Sequence, residues 1–301
     1  MYKPFLLALC SLILWSCEPK PTSTQEAEQY DVIDYRTVKL MLDTLNAERR
    51  AQIDSTGSYT IEYTDLSKGK KRLIFFGASH NRNVNDPQFK FLATLFAEMK
   101  PEIAFNEGGQ FSRSRTYADF NSAILQNGEA GLLKYLCDSV GITMINGDMD
   151  TREEFSELLK TVPQDQLYLY MAVERFLNGY HDGYFGNDLD KAFQKEFIDY
   201  LKENDFPVTG EEQRFEYLQD LYRKHLDRNL VLDSLVPLHE YYLLDDGKFG
   251  DIGRQTKIVR DRALLQKIDS ALTRYDRVFV VFGGAHRLAV EPALKQIINK
   301  H

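Results

Sequence analysis

Apolar positions along this chain follow two rhythms. Short unbroken runs occur at residues 73–76, 103–105 and 278–282, and a run broken only by Thr143 at 142–145. Runs of this length without alternation suit strands buried on both faces. Between them apolar residues recur at helical spacing. Asp86-Pro87 opens one such stretch through Phe91, Leu92, Leu95 and Phe96, and residues 131–140 and 254–272 form others. A closing helix is expected at 291–298, with Pro292 in its first turn. Strands alternating with helices predict an α/β fold, a mostly parallel central sheet flanked by helices. Ahead of it, residues 30–50 have helical spacing and 58–64 alternate as an edge strand would.

Residues 151–246 break the alternation. Four amphipathic helices are expected there, at 153–159, 166–177, 189–202 and 211–228, and no strand. The simplest organisation is one α/β domain over residues 30–301 carrying a helical insertion or lid at 151–246.

The N-terminus reads as an address. Met1-Tyr2-Lys3 gives a basic start, and an apolar run to Trp15 is too short to span a bilayer comfortably. Leu14-Trp15-Ser16-Cys17 resembles the lipobox of bacterial lipoproteins. Residues 1–16 are then a signal peptide, Cys17 is the lipidated residue, and 17–29, rich in Pro, Thr, Glu and Gln, is a tether. This places the domain in the cell envelope, attached to a membrane through the N-terminal lipid. Of three cysteines, Cys10 would be cleaved away and Cys17 acylated, which leaves Cys137 as a buried thiol and no intramolecular disulfide. The net charge of −8, with basic residues dispersed apart from one short cluster at 68–72, argues against nucleic acid as a partner.

Candidate chemistry sits where strands end. Gly77-Ala78-Ser79-His80 closes the first apolar run, and Gly283-Gly284-Ala285-His286 closes the last. Glu107 follows the second strand in Asn106-Glu107-Gly108-Gly109, and Asp148 and Asp150 follow the third. In a parallel sheet these ends open on one edge, where ligands bind. Two imidazoles and a carboxylate suit a divalent metal such as manganese, cobalt or zinc. Without metal, His80 and Glu107 would serve as a base and its orienting partner on water. Asp150 also suits the N-cap of a helix starting at Thr151. Spacing alone makes the helix carrying Arg254, Lys257, Arg260, Asp261 and Arg262 a solvated basic one. His181, His225 and His239 read as surface or packing residues.

Taken together, Gly77-Ala78-Ser79-His80, Phe105-Asn106-Glu107-Gly108, Arg260-Asp261-Arg262 and Val280-Val281-Phe282-Gly283-Gly284-Ala285-His286 resemble the Tiki/TraB/GumN superfamily, which includes erythromycin-esterase-like and ChaN-like proteins. The resemblance covers the two ends of the folded chain and not its helical middle. It implies an α/β core and implicates His80, Glu107, Arg260 and His286, with His80, Glu107 and His286 as metal ligands. The Tiki branch implies a divalent-metal-dependent peptidase and the esterase branch a histidine-activated water. Ala78-Ser79 departs from the esterase branch, which places a glutamate next to the glycine. The ChaN branch implies a haem-binding lipoprotein without catalysis. The expected function is a hydrolase of a peptide amide or ester, with haem or metal binding as the alternative.

Overall fold

A computed structural model of the chain describes residues 30–112, 114–232, 247 and 249–301. The expected signal peptide, the expected tether with Cys17, His239 and the end of the expected helical insertion lie outside the described residues.

The chain enters through α1 (Tyr35–Thr56) and an antiparallel hairpin of β1 (Tyr63–Lys68) and β2 (Lys71–Ala78). The edge strand thus starts later than the alternation at 58–64 predicts, and Gly69, at φ +59°, makes the turn between the two strands. Next come α2 (Pro87–Met99), β3 (Ile103–Asn106), α3 (Phe120–Val140) and β4 (Thr143–Asn146). The helical middle follows as α4 (Thr151–Leu158), α5 (Gln164–Met171), α6 (Asn178–His181), α7 (Leu189–Ala192), α8 (Asp199–Glu203) and α9 (Phe215–Leu226). A π-helical turn at Ala172–Leu177 joins α5 to α6, and another at Phe193–Ile198 joins α7 to α8. The chain returns through α10 (Gly250–Arg274), β5 (Arg277–Gly283) and α11 (Gly284–Lys300).

The fold is α/β: five strands in the order β1-β2-β5-β3-β4, parallel except for β1. β5 inserts between β2 and β3. The continuous apolar strands divide their side chains between two covered faces. Leu73, Phe75, Phe105, Val278, Val280 and Phe282 pack with Leu264, Leu265 and Ile268 of α10 and Leu294 and Ile297 of α11. Ile74, Phe76, Ala104, Phe279 and Val281 pack with Phe89 and Leu92 of α2 and Leu132 and Leu133 of α3. The helical middle buries its own aromatic cluster, including Phe155, Tyr168, Phe176, Phe193 and Phe197, and takes in Phe249 and Ile252 at the start of α10.

Local signals explain most element ends. Asp86 caps α2 by accepting from the Gln88 N–H, with Pro87 in the first turn. Asp119 and Ser122 form a capping box on α3. One expectation needs correcting. α11 begins at Gly284, so Pro292 lies inside the helix rather than in its first turn. His286 therefore rides on the first turn of a helix, whereas His80 sits in a loop.

α3 is interrupted at Asn127 (φ −140°, ψ 23°) and Gly128 (φ 55°, ψ −137°). Only glycine enters that second conformation without strain. A Cβ there would also stand 2.8 Å from the Asn81 carbonyl oxygen. Gly128→Ala is expected to lower stability by about 1–3 kcal/mol, read as a reduced midpoint in urea denaturation.

Candidate active site

Because β5 lies between β2 and β3, the C-terminal ends of these three strands are neighbours. Glu107 directly follows β3, and its N–H continues the ladder by donating to the Val281 carbonyl at 3.2 Å. Its carboxylate turns across the end of β5, where the Gly283 N–H donates to Oε2 at 2.7 Å. His80 is two residues past β2. The loop carrying it is held by buried Gln88, which accepts from the Ser79 N–H at 3.0 Å and donates to the Ser79 carbonyl at 2.8 Å. His80 Nε2 stands 3.7 Å from Glu107 Oε2, and His286 Nε2 stands 3.5 Å from Glu107 Oε1. One carboxylate thus sits between two imidazoles, an oxygen facing each.

The glycines of the twin motifs make this approach possible, each for the other motif. A Cβ on Gly283 would lie 2.8 Å from His80 Nε2. A Cβ on Gly77 would lie 3.0 Å from Cδ of Arg287, the residue after His286.

Each imidazole has a second carboxylate behind it. His80 Nδ1 pairs with Glu129, which the break in α3 delivers. His286 Nδ1 pairs with Asp261 on α10. The Tyr35 hydroxyl donates to the other Asp261 oxygen at 2.6 Å and stands 3.1 Å from His286 Nδ1. A carboxylate accepting from Nδ1–H fixes the tautomer and leaves Nε2 directed at Glu107. The two rings differ in access: the His286 side chain is 3% exposed and that of His80 59%. His286 is a buried anchor, and His80 faces the mouth.

The cationic side comes from α10. Arg260 Nε donates to Asp148 at 3.0 Å, and a terminal nitrogen reaches Glu107 Oε1 at 3.4 Å. Asp148 accepts in turn from the Gly108 N–H at 2.7 Å. Lys267 donates to the Asn146 carbonyl at 3.1 Å, which secures the loop after β4. The solvated helix that spacing favours is therefore not found, since Asp261 is buried, Arg260 is mostly covered and both face the site. Asp150 takes its other expected role and caps α4 by accepting from the Arg152 N–H.

Charge is distributed accordingly. Burial opposes ionisation of Glu107, but His286, the Gly283 N–H and Lys257 overcome it and hold the carboxyl well below the usual range. The bond to Glu129 raises His80, against partial burial. For His286 burial acts downward, and Asp261 with Glu107 outweighs it, so this imidazole is raised too. Burial and then Arg260 lower the Lys257 amine.

Two clefts meet at Glu107. One, of about 460 Å³, is lined by His80, Arg82, Phe111 and Glu129. The other, of about 480 Å³, is lined by Asp148, Glu154, Glu174, Arg175 and Arg260. A substrate lying across the Glu107–Gly108 edge would enter both.

The donor types fit a divalent ion. His286 Nε2 is buried with no hydrogen-bond partner among the described residues, and both Nδ1 atoms are already engaged. As placed, these side chains do not close on one point, and no three His, Cys, Asp or Glu among the described residues are gathered as a metal site. Sequence reasoning missed Glu129, Tyr35 and Glu154, and it read Lys257 only as part of a solvated basic face. Glu129 had a faint signal, an acid between Gly128 and Gly131 at the edge of an apolar helical stretch. Tyr35 lies far away in the chain and had none.

Neither the protein-family models nor the curated proteins give a match to this chain.

Tyr35→Phe leaves a buried Asp261 oxygen without its donor and is expected to cost about 1–3 kcal/mol. Asp261→Ala, which strands the buried His286 imidazole, is expected to cost more, about 3–5 kcal/mol. Equilibrium urea unfolding of both variants gives the order.

Proposed function

We propose that this protein is a cell-envelope hydrolase that cleaves a peptide amide or an ester with water activated at His80, Glu107 and His286. One observation carries the reading. Two imidazoles, each held from behind by its own carboxylate, direct their Nε2 atoms at one shared carboxylate on the open edge of a parallel sheet. Structural histidines need one such partner, not a facing pair around a third acid.

The roles follow from position. His80, exposed at the cleft mouth, takes a proton from water as its oxygen attacks the substrate carbonyl, and returns that proton to the leaving amine or alcohol. Glu129 keeps the His80 ring oriented and stabilises its imidazolium form. Glu107 accepts the other hydrogen of the water and aligns it. His286, backed by Asp261, holds Glu107 from the buried side. Arg260 acts as a positioning residue, bracing Glu107 and Asp148. Lys257 has no ion pair among the described residues, and its field reaches both His80 and Glu107, so it favours the negative charge that develops on the carbonyl oxygen. A manganese, cobalt or zinc ion at His80, Glu107 and His286 would, when bound, lower the pKa of its water and polarise the carbonyl.

Lipidation at Cys17 would tether this activity to a membrane, with small molecules or peptides as substrates. The resemblance to the Tiki/TraB/GumN superfamily favours the same reading, since the residues it implicates are those that meet here.

The test is hydrolysis of a panel of peptide amides and esters by the purified mature protein, with elemental analysis for bound metal. His80→Ala and His286→Ala are each expected to lower kcat/KM by roughly 10²-fold or more. If either variant retains full turnover, or if no member of the panel is cleaved with or without added manganese, cobalt or zinc, the hydrolase reading fails. Bound metal that falls on both substitutions assigns the ion to this site.

A further inference from the structure

The second cleft holds a carboxylate that the chemistry above does not use. Its lining contributes five acids, Glu107, Asp148, Asp150, Glu154 and Glu174, against two arginines, Arg175 and Arg260. Most of these charges are committed. Arg260 is turned to Asp148 and Glu107. Arg175 is 3.4 Å from its neighbour Glu174 in the π-helical turn. Asp150 caps α4, and Asp148 also accepts from Gly108.

Glu154 is the remainder. It lies on α4 with 6% of its surface exposed, and it lines the cleft. Among the described residues its side chain makes no hydrogen bond and no ion pair. A carboxylate this buried normally has a partner. The wall it belongs to is built to hold it there. Phe155, the next residue, is locked in the aromatic cluster of the helical middle, and α4 itself packs on α10. The nearby arginine charges act on Glu154 only through space, and burial, the larger influence, raises its carboxyl above the ordinary range. A ligand supplying a cation would reverse that.

We infer that Glu154 is the binding group for a primary ammonium on the substrate, held in the same cleft as Glu107 and Arg260. An ammonium brings the three donors and the positive charge that this carboxylate lacks. The excess of acids in the wall attracts it, and a neutral or anionic group gains nothing there. The inference rests on the proposed hydrolase site and adds a substrate class, amides or esters bearing a free amine such as an unblocked peptide N-terminus. The helical middle then has a specific role. It contributes Glu154, with Glu174 and Arg175, to a cleft whose opposite wall is the sheet edge.

Calorimetric titration of the mature protein with trialanine amide and with N-acetyl-trialanine amide tests this. Both probes lack a carboxylate and differ in the ammonium. The free amine is expected to bind at least about tenfold more tightly, the scale of one charge-assisted hydrogen bond. In Glu154→Gln the two affinities become equal, while the thermal midpoint is unchanged or higher because an unpaired buried charge has gone. Equal affinities in the unaltered protein, binding of neither probe, or a preference that persists in Glu154→Gln overturns the inference. Hydrolysis measured alongside separates the two readings. Cleavage without discrimination between free and blocked amines removes the ammonium subsite and keeps the hydrolase. Discrimination in binding without cleavage of any substrate does the reverse.

Discussion

The architecture depends on the insertion of β5 between β2 and β3. In register, Gly77 lies beside Phe282, Ala78 beside Gly283 and Asn106 beside Val281. That alignment sets three strand ends level. It also lets the Gly283 N–H, which has passed the last ladder position on the β3 side, reach the Glu107 carboxylate. β5 is apolar on both faces, so its own alternation specifies register weakly. What selects the register is the polar chemistry at its end. A shift of one residue would remove the Gly283 donor and rotate His286 away from Asp261. Site and sheet register are therefore one constraint.

From that alignment grows a chain of alternating acids and bases: Glu129, His80, Glu107, His286, Asp261, with Tyr35 closing the buried end. Three carboxylates in so small a volume repel one another, and each favours a proton on the imidazole beside it. The direction of each shift agrees with this, since Glu107 is pushed down and both histidines are pushed up. Arg260 and Asp148 brace the chain from the side. Exposure rises from His286 to His80, so the chain has a buried end and an open end.

Much of this was legible in the sequence because it is written locally. Unbroken apolar runs gave the buried strands, glycines marked where they end, and His80, Glu107 and His286 stood at those ends. Strand order was not legible, because nothing in 278–282 says which neighbours it pairs with. Asp261 and Arg260 were legible as residues but not as partners. Adjacent positions on a helix ordinarily point apart, and here both still reach the site because α10 crosses the sheet edge against α11. Glu129 was hidden by a helix break at Asn127-Gly128 that interrupts the periodicity used to find helices. The closing helix is expected only from 291, yet Gly283 serves as the N-cap of α11, because two glycines conceal a helix start from any argument based on propensity.

The central place of β5 also sets an order of assembly. It is the last strand of the sheet to be synthesised, and it pairs with one strand made some two hundred residues earlier. Until it arrives, β2 and β3 each present an open, apolar edge, the kind of surface that pairs with the wrong partner. The same delay means that Glu107 has no neighbouring imidazole at its back and no Gly283 donor while the chain is growing. A protein built this way lacks this arrangement of side chains while it is being made, and acquires it in the step that closes its sheet.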